Sequence, residues 1–241
     1  MNVEARELML GISALVHDNL GRILDGREEI TWKPDGSPVT SADLLVERLV
    51  QEYVAARIPD LQFVSEESYG QQVPPAGTHY ALLDPIDGTE NFCSGLKEWG
   101  VAFSLWREKQ HLGSMLMLPE LGERLMTGDR IRTFRSRIQG FSSSMSDVIL
   151  EQMRGADEAR MFGCATYNLY NVIRGAFHQF SNPKGAYAWD LVPGLMLALE
   201  HKCQVTVDGE PFDGRFLEPN RKYRVHVQHG HDHHPGQGAL G

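Results

Sequence analysis

Apolar runs long enough to cross a membrane are absent from these 241 residues, and Met1 to Ile12 mixes charges into an amphipathic pattern instead of a signal peptide. No membrane partner is expected, and the expected location is cytoplasmic. Cysteine is scarce. Cys93, Cys164 and Cys203 are widely spaced, odd in number and without zinc-type pairing, which argues against a disulfide framework and for reduced structural thiols. Basic charge is also short: the formal net charge is −9, so a general surface for a nucleic acid polymer is disfavoured. The one local basic patch, Arg130, Arg132, Arg135 and Arg137, reads as a solvated loop. An acidic protein that binds an anionic ligand needs a local source of positive charge, and a bound metal supplies it most simply.

What is present is enough chain for a sizeable core. Leu8, Ile12, Leu15, Val16, Leu20 and Ile23 recur at helical spacing, predicting a helix from Ala5 to Ile23 with a weak point at Asn19-Leu20-Gly21. Trp32 to Pro38, rich in Lys, Pro, Asp and Gly, reads as a loop or a turn. A helix then starts near Thr40, carries Leu45, Leu49, Val50 and Tyr53 on one face, and stops before Pro59. Leu61 to Val64 and Tyr80 to Leu83 read as short strands, and the runs 100–106 and 113–118 as a hairpin. The charged, Ser-rich stretch 130–146 is the best boundary, placed near residue 138. This gives an N-terminal α+β part over 1–138 and a C-terminal part over 139–227 with helices at 147–153, 166–174 and 191–201 and a strand at 204–207. Residues 228–241 read as a flexible His-rich tail. His226, His229, His231, His233 and His234 are half of the ten histidines.

The most informative run is Asp84-Pro85-Ile86-Asp87-Gly88-Thr89. It puts two carboxylates, a turn and a hydroxyl at the end of a buried strand, where α/β folds commonly place ligands. Hard cations such as magnesium take several oxygen ligands, and Glu66, Asp84, Asp87 and Asp190 together would balance two of them. Gly88 permits a close backbone approach to phosphate, and Thr89 can orient a water. Each piece has a plain alternative. Asp-Pro and Asp-Gly are ordinary turn formers, Glu66-Glu67 can be a solvated pair, and Asp43, three residues after Thr40, fits a helix capping box. Trp189-Asp190 before an apolar helix reads in isolation as an N-cap.

Taken in order, Val39-Thr40-Ser41-Ala42-Asp43, Ser65-Glu66-Glu67-Ser68, Asp84 to Thr89 with Asn91-Phe92, and Trp189-Asp190 resemble the inositol monophosphatase family. Its superfamily of magnesium-dependent, lithium-sensitive phosphatases includes bisphosphate nucleotidases and fructose bisphosphatases. The resemblance covers residues 5–227 and implies a fold of the α+β or α/β class, a layered αβαβα sandwich of the sugar-phosphatase type. It implies a hydrolase: a phosphomonoesterase that acts on a small phosphorylated metabolite (sugar, polyol or nucleotide phosphate) by in-line attack of a metal-activated water, without a phosphoenzyme. Glu66, Asp84 and the Ile86 carbonyl would hold the first Mg2+, and Asp84, Asp87 and Asp190 the second. Lys33 would screen charge near a third, weaker ion at Glu66. Thr89, hydrogen-bonded to Asp43, would position and deprotonate the water, while Gly88 and Thr89 amides grip the phosphate. The resemblance also implies a homodimer.

The chain departs from that pattern at several points. A Gly-rich hairpin with an Asn-Gly turn is missing between Arg124 and Arg132. After Trp189-Asp190 come Leu191-Val192-Pro193-Gly194, with Pro193 expected in the first helical turn, and His201-Lys202-Cys203 replace a Gly-Gly. Ser181 to Tyr187 contains no acidic residue for sugar hydroxyls, which puts inositol phosphate itself in question. Lys184 there is a candidate for a second anionic group on the substrate, with an ordinary surface lysine as the plain alternative. Two other readings stand beside the first: a 3'(2'),5'-bisphosphate nucleotidase, to which Val64 to Glu67 is similar, and a catalytically silent phosphate-binding or regulatory oligomer.

Overall fold

The helix expected over 5–23 forms and breaks within its predicted weak point, into α1 (Val3–Asp18) and α2 (Leu20–Asp25). At the break the Asn19 side chain donates to the Leu15 carbonyl at 2.8 Å, offering the backbone an alternative to continuing the helix. This computed structural model describes residues 3–69 and 79–230. The expected loop after Trp32 is the turn of a small hairpin, β1 (Ile30–Trp32) with β2 (Pro38–Thr40). Thr40 then caps α3 (Ser41–Ala55) in a reciprocal box with Asp43. The buried apolar stripe of α3 is Ala42, Val46, Val50 and Val54, with Leu45 and Tyr53 at its margin and Leu49 half-buried. Of the expected face Leu45, Leu49, Val50 and Tyr53, the stripe keeps only Val50 and is otherwise made of smaller side chains, with α3 packed against β4 and β3. Full burial of a valine contributes about 1.5–3 kcal/mol.

That first sheet has the order β3 (Leu61–Ser65), β4 (His79–Asp87), β5 (Gly100–Arg107), β6 (Gln110–Leu118), β7 (Glu123–Met126). Only β3 and β4 run parallel. A short helix, α4 (Thr89–Cys93), leaves the end of β4. Successive residues of the central strands point to different cores. Ala81, Leu83, Val101, Phe103 and Met115 pack with α1 and α3, while Leu82, Ala102, Trp106 and Leu116 face the second half of the chain. Both faces are covered, so these strands read as unbroken apolar runs.

Residues 131–137 cross over without regular structure, tied by the Phe134 amide to the Arg174 carbonyl at 2.8 Å. The second sheet contains β8 (Ile138–Phe141), β9 (Glu158–Met161), β10 (Gln179–Ala186), β11 (Gln204–Val207), β12 (Glu210–Pro211) and β13 (Tyr223–Gln228), in the order β12-β11-β13-β10-β8-β9. Between the two sheets lie α6 (Ala165–Ile173) and α7 (Ala188–Glu200). On the outer side α5 (Asp147–Arg154) touches β10, with Ser181 Oγ donating to Gln152 at 3.0 Å. The layers are therefore α1/α3, first sheet, α6/α7, second sheet, α5, the expected αβαβα sandwich.

Three local expectations are corrected. α7 begins at Ala188, not Leu191, which moves Pro193 out of the first turn to a position where its missing N–H deprives the Trp189 carbonyl of a partner. Asp190 is accordingly inside the first turn and not the cap. The expected tail starts too early at 228: Gln228 ends β13 and His226 lies within it, while His229 is buried with Nδ1 3.0 Å from the Val172 carbonyl. His231, His233 and His234 lie outside the described residues.

Candidate active site

Two adjacent parallel strands deliver the first two carboxylates. β3 and β4 pair with Ser65 opposite Leu83, so Glu66 and Asp84 are the next residues at the same end of neighbouring strands. Strict alternation would then send Asp87 to the opposite face from Asp84. The pairing with β5 slips instead: Asp84 faces Ala102 and Asp87 faces Gly100, so three steps on β4 match two on β5. This bulge returns Asp87 to the side of Asp84, and Pro85 suits it because it brings no amide to the ladder. Asp190 arrives from the first turn of α7, where it accepts the Tyr187 amide at 2.8 Å. Glu66, Asp84 and Asp190 then present oxygens that all lie within 4.8 Å of one another.

So many buried acids hold their protons more tightly than in water. Burial pushes Asp84 well above the usual carboxylate range, and the charges of Glu66, Asp87 and Asp190 push the same way. Asp190 is raised for the same reasons, burial first and then Asp87 and Glu66. Asp87 is raised by burial, against the opposing hydrogen bonds of the Thr166 and Ala165 amides and the Cys164 side chain. Those amides open α6, so the helix start clamps Asp87.

Asp43 sits behind this group. It accepts the Thr40 amide at 2.8 Å and the Thr40 hydroxyl at 2.5 Å, and Thr89 Oγ1 is 3.3 Å from its other oxygen. Burial lifts its pKa to about 6, the Thr40 bonds oppose that, and the Glu66 charge adds to it. Thr89 has one proton to donate, and its closer partner is the Ile86 carbonyl at 2.9 Å. Gly88 adopts φ +83, and a Cβ there would stand 2.8 Å from Cys164 Cβ, so both conformation and space require glycine. Lys33 Nζ bridges Glu66 at 2.9 Å and Glu67 at 2.8 Å. Burial alone would lower its pKa, but the two carboxylates outweigh this and raise it.

Above the carboxylates lies a cavity of about 280 Å³ lined by Glu66, Asp87, Asp190, Asn182, Tyr187 and Lys222 among others. Lys184, the expected contact for a second anion, is exposed and outside that lining. The β10–β13 pairing is irregular between Asn182 and Ala186, which takes Lys184 out of strand alternation. The remaining expected residues, Asp43, Lys33, Glu66, Asp84, Ile86, Asp87, Gly88, Thr89 and Asp190, form one connected group. Gly163 to Thr166 was not anticipated. Its only signal is a Gly-Cys-Ala-Thr turn ahead of an apolar helix, too common to single out.

A sequence profile described as the Inositol monophosphatase family matches residues 3–235. The inositol-1-monophosphatase of Rhizobium meliloti (strain 1021) is 26% identical over 198 residues, 71% of this chain and 73% of that protein. A Streptomyces griseus protein named glucose-1-phosphate thymidylyltransferase is 35% identical over 217 residues, 80% of this chain and 81% of its own. A crystal structure of an IMPase/NADP phosphatase complexed with Mg2+ and phosphate superposes with a TM-score of 0.76 at 18% identity, over 94% of this chain and 90% of the other. With the αβαβα layers and the profile match across nearly its whole length, the chain belongs to the inositol monophosphatase family.

Proposed function

We propose that this phosphoric monoester hydrolase works with magnesium on a small sugar, polyol or nucleotide phosphate. The observation that carries this is the Glu66, Asp84 and Asp190 cluster, with oxygens within 4.8 Å, beside the Thr89–Asp43 pair. Buried carboxylates whose protons are held this tightly ionise together only beside cations, and an all-oxygen donor set suits a hard divalent ion. Glu66, Asp84 and the Ile86 carbonyl would hold one ion, and Asp84, Asp87 and Asp190 a second. Bound there, the ions would supply Lewis-acid polarisation of the phosphoryl group and neutralise charge on the attacking and leaving oxygens.

The chain's own residues supply positioning and proton transfer. With the Ile86 carbonyl given over to an ion, Thr89 Oγ1 would turn its one proton from that carbonyl to Asp43 as it accepts a proton from the attacking water, and the Asp43 pKa of about 6 in the unliganded protein suits such a role. Gly88 and Thr89 amides orient the phosphate. One P–O bond forms to the water oxygen as the P–O bond to the alcohol breaks; the departing alkoxide takes a proton from solvent water, Asp43 gives the proton it received back to solvent, and inorganic phosphate is left. Lys33 holds Glu66 and Glu67 in place and limits their repulsion of the substrate.

The test is release of inorganic phosphate from a panel of sugar, polyol and nucleotide monophosphates with magnesium, with chelator and with lithium at millimolar concentration. No release from any of them, or release indifferent to chelator, would overturn the proposal. Family membership also supports lithium inhibition, a homodimer and a cytoplasmic location; light scattering of the purified protein tests the second. The name of the Streptomyces griseus relative motivates a second reading, nucleotidyl transfer to a sugar phosphate. Glucose 1-phosphate with dTTP would then yield pyrophosphate in place of inorganic phosphate.

A further inference from the structure

The cavity above the carboxylates is charged unevenly. Its described lining includes the acidic residues Asp35, Glu66, Asp87 and Asp190, and one basic residue, Lys222. Lys222 stands at the foot of β13, where Gly185 brings the bulged end of β10 against it: a Cβ on Gly185 would lie 3.0 Å from the Tyr223 carbonyl and 3.3 Å from Lys222 Cβ. Gly185 has φ +84, so the close approach and the backbone conformation both need glycine. The ammonium is 5.1 Å from the centre of the Tyr187 ring, which stacks on Trp189 at 4.7 Å and 21°. Asp190 follows Trp189 directly, so the stack ties Lys222 to the carboxylate group.

Among the described residues no carboxylate lies within 4.0 Å of the Lys222 ammonium, whereas Lys33 is held by two. The wall beside it, Ser181 to Tyr187, contains no acidic side chain that would receive the hydroxyls of a neutral polyol. The Asn182 side-chain oxygen is already engaged, accepting the Gly185 amide at 3.0 Å. A substrate whose phosphate sits at the carboxylates therefore turns its leaving group toward an aromatic wall and an unneutralised cation.

We propose that Lys222 selects phosphomonoesters whose leaving alcohol carries a second anionic group, phosphate or carboxylate. This rests on the phosphatase reading above and narrows its substrate class. The Tyr187 ring, 5.1 Å from the ammonium, attracts the cation without taking up a conventional acceptor, so N–H donors are left for the anion, and a hydrogen bond between charged partners is stronger than a neutral one.

The experiment compares two pairs of substrates in magnesium: adenosine 3',5'-bisphosphate against adenosine 3'-monophosphate, and 2-phosphoglycerate against glycerol 2-phosphate. In each pair the members differ by the second anion. The wild type should prefer the first member, and Lys222→Met should lower its kcat/KM on that member about tenfold to hundredfold, mainly through KM, with little change on the second. Lys222→Arg should restore the preference. A preference confined to the bisphosphate identifies phosphate as the second group. Equal rates within both pairs for the wild type, or equal losses in Lys222→Met, overturn the proposal. If no substrate is hydrolysed, the phosphatase reading falls separately, and calorimetry of the adenosine pair with calcium decides the inference: weaker binding of the bisphosphate alone by Lys222→Met upholds it, and unchanged binding overturns it.

Discussion

Thr89 Oγ1 lies 3.3 Å from one oxygen of Asp43, while the other oxygen accepts the Thr40 amide at 2.8 Å and caps α3. One carboxylate thus holds a helix start and reaches the residue that follows Gly88. Capping and chemistry are separable, because an asparagine keeps the acceptor for the Thr40 amide but loses the negative charge.

Asp43→Asn is therefore expected to keep the fold and lower kcat by about 10²- to 10⁴-fold. In the parent the acid limb of kcat should fall at or below about pH 6, since burial lifts Asp43 to about 6 without metal and bound cations pull it down. The stability sign is opposite to the usual carboxylate case. The folded pKa lies above the ordinary 3.8, so this stabilising contribution is complete below that value and is lost as pH rises through about 6. A pH profile of kcat and a melting curve check both, and a variant with the parent's rate and limb would sink the assignment.

Gly88→Ala should cost about 2–4 kcal/mol, combining the left-handed conformation with overpacking against Cys164. The collision is at 2.8 Å with Cys164 Cβ, and Cys164 caps the helix whose first amides clamp Asp87. Activity should fall with stability. Adding Cys164→Gly should recover the overpacking part of the loss and leave the conformational part, as urea titration of the single and double variants would show. If Gly88→Ala is as stable as the parent, the tight turn does not constrain the site.

Much of this arrangement was legible beforehand, for identifiable reasons. Thr40 with Asp43 is a local capping signal, and Asp84 to Thr89 follows a strand announced by its own apolar run. The bulge that turns Asp87 back toward Asp84 was not legible, because it depends on pairing with β5, a partner more than ten residues along the chain. Lys222 escaped for a related reason. It enters the cavity only because β13 pairs with the irregular end of β10, and the local sequence makes Lys184 look the better candidate. The local sequence points to a start of α7 at Leu191 because Trp189-Asp190 resembles a cap, whereas Asp190 reaches back to the Tyr187 amide from inside the first turn of a helix that begins at Ala188.

His111 should make stability fall on mild acidification. Its Nε2 is 2.7 Å from Ser114 Oγ and its ring meets the Trp106 ring edge-on at 5.0 Å; burial lowers its pKa from 6.5 to about 4, with the Gly113 backbone opposing. The unfolded chain binds the proton more readily, so the stabilisation is full above 6.5 and is lost as pH falls toward 4. Between about pH 7.5 and about pH 4.5 this amounts to roughly 2–3 kcal/mol. Urea unfolding of the parent and of His111→Gln at both pH values checks it. The variant should lose less stability on acidification; an equal loss would assign the effect to other groups.

Asp84→Asn separates the two demands on the carboxylate cluster. In metal-free protein Asp84 is fully enclosed and feels the charges of Glu66, Asp87 and Asp190, so a neutral amide of the same shape removes repulsion that folding otherwise has to overcome. The variant should melt higher than the parent in chelator, by an amount on the order of 1 kcal/mol or more. With magnesium the order should reverse. The parent gains stability by binding the ion only when folded, whereas the variant has lost a ligand placed within reach of both proposed ions. Melting curves in chelator and in magnesium, with phosphate release measured alongside, give the full comparison. A variant less stable than the parent in chelator would show that the carboxyl holds the fold together through its bond to the Ile86 amide, 3.1 Å from Oδ1, more than it strains it by charge. A variant that melts higher without metal, gains nothing from magnesium and releases no phosphate would show that the same repulsion that weakens the empty protein is what draws the cations in.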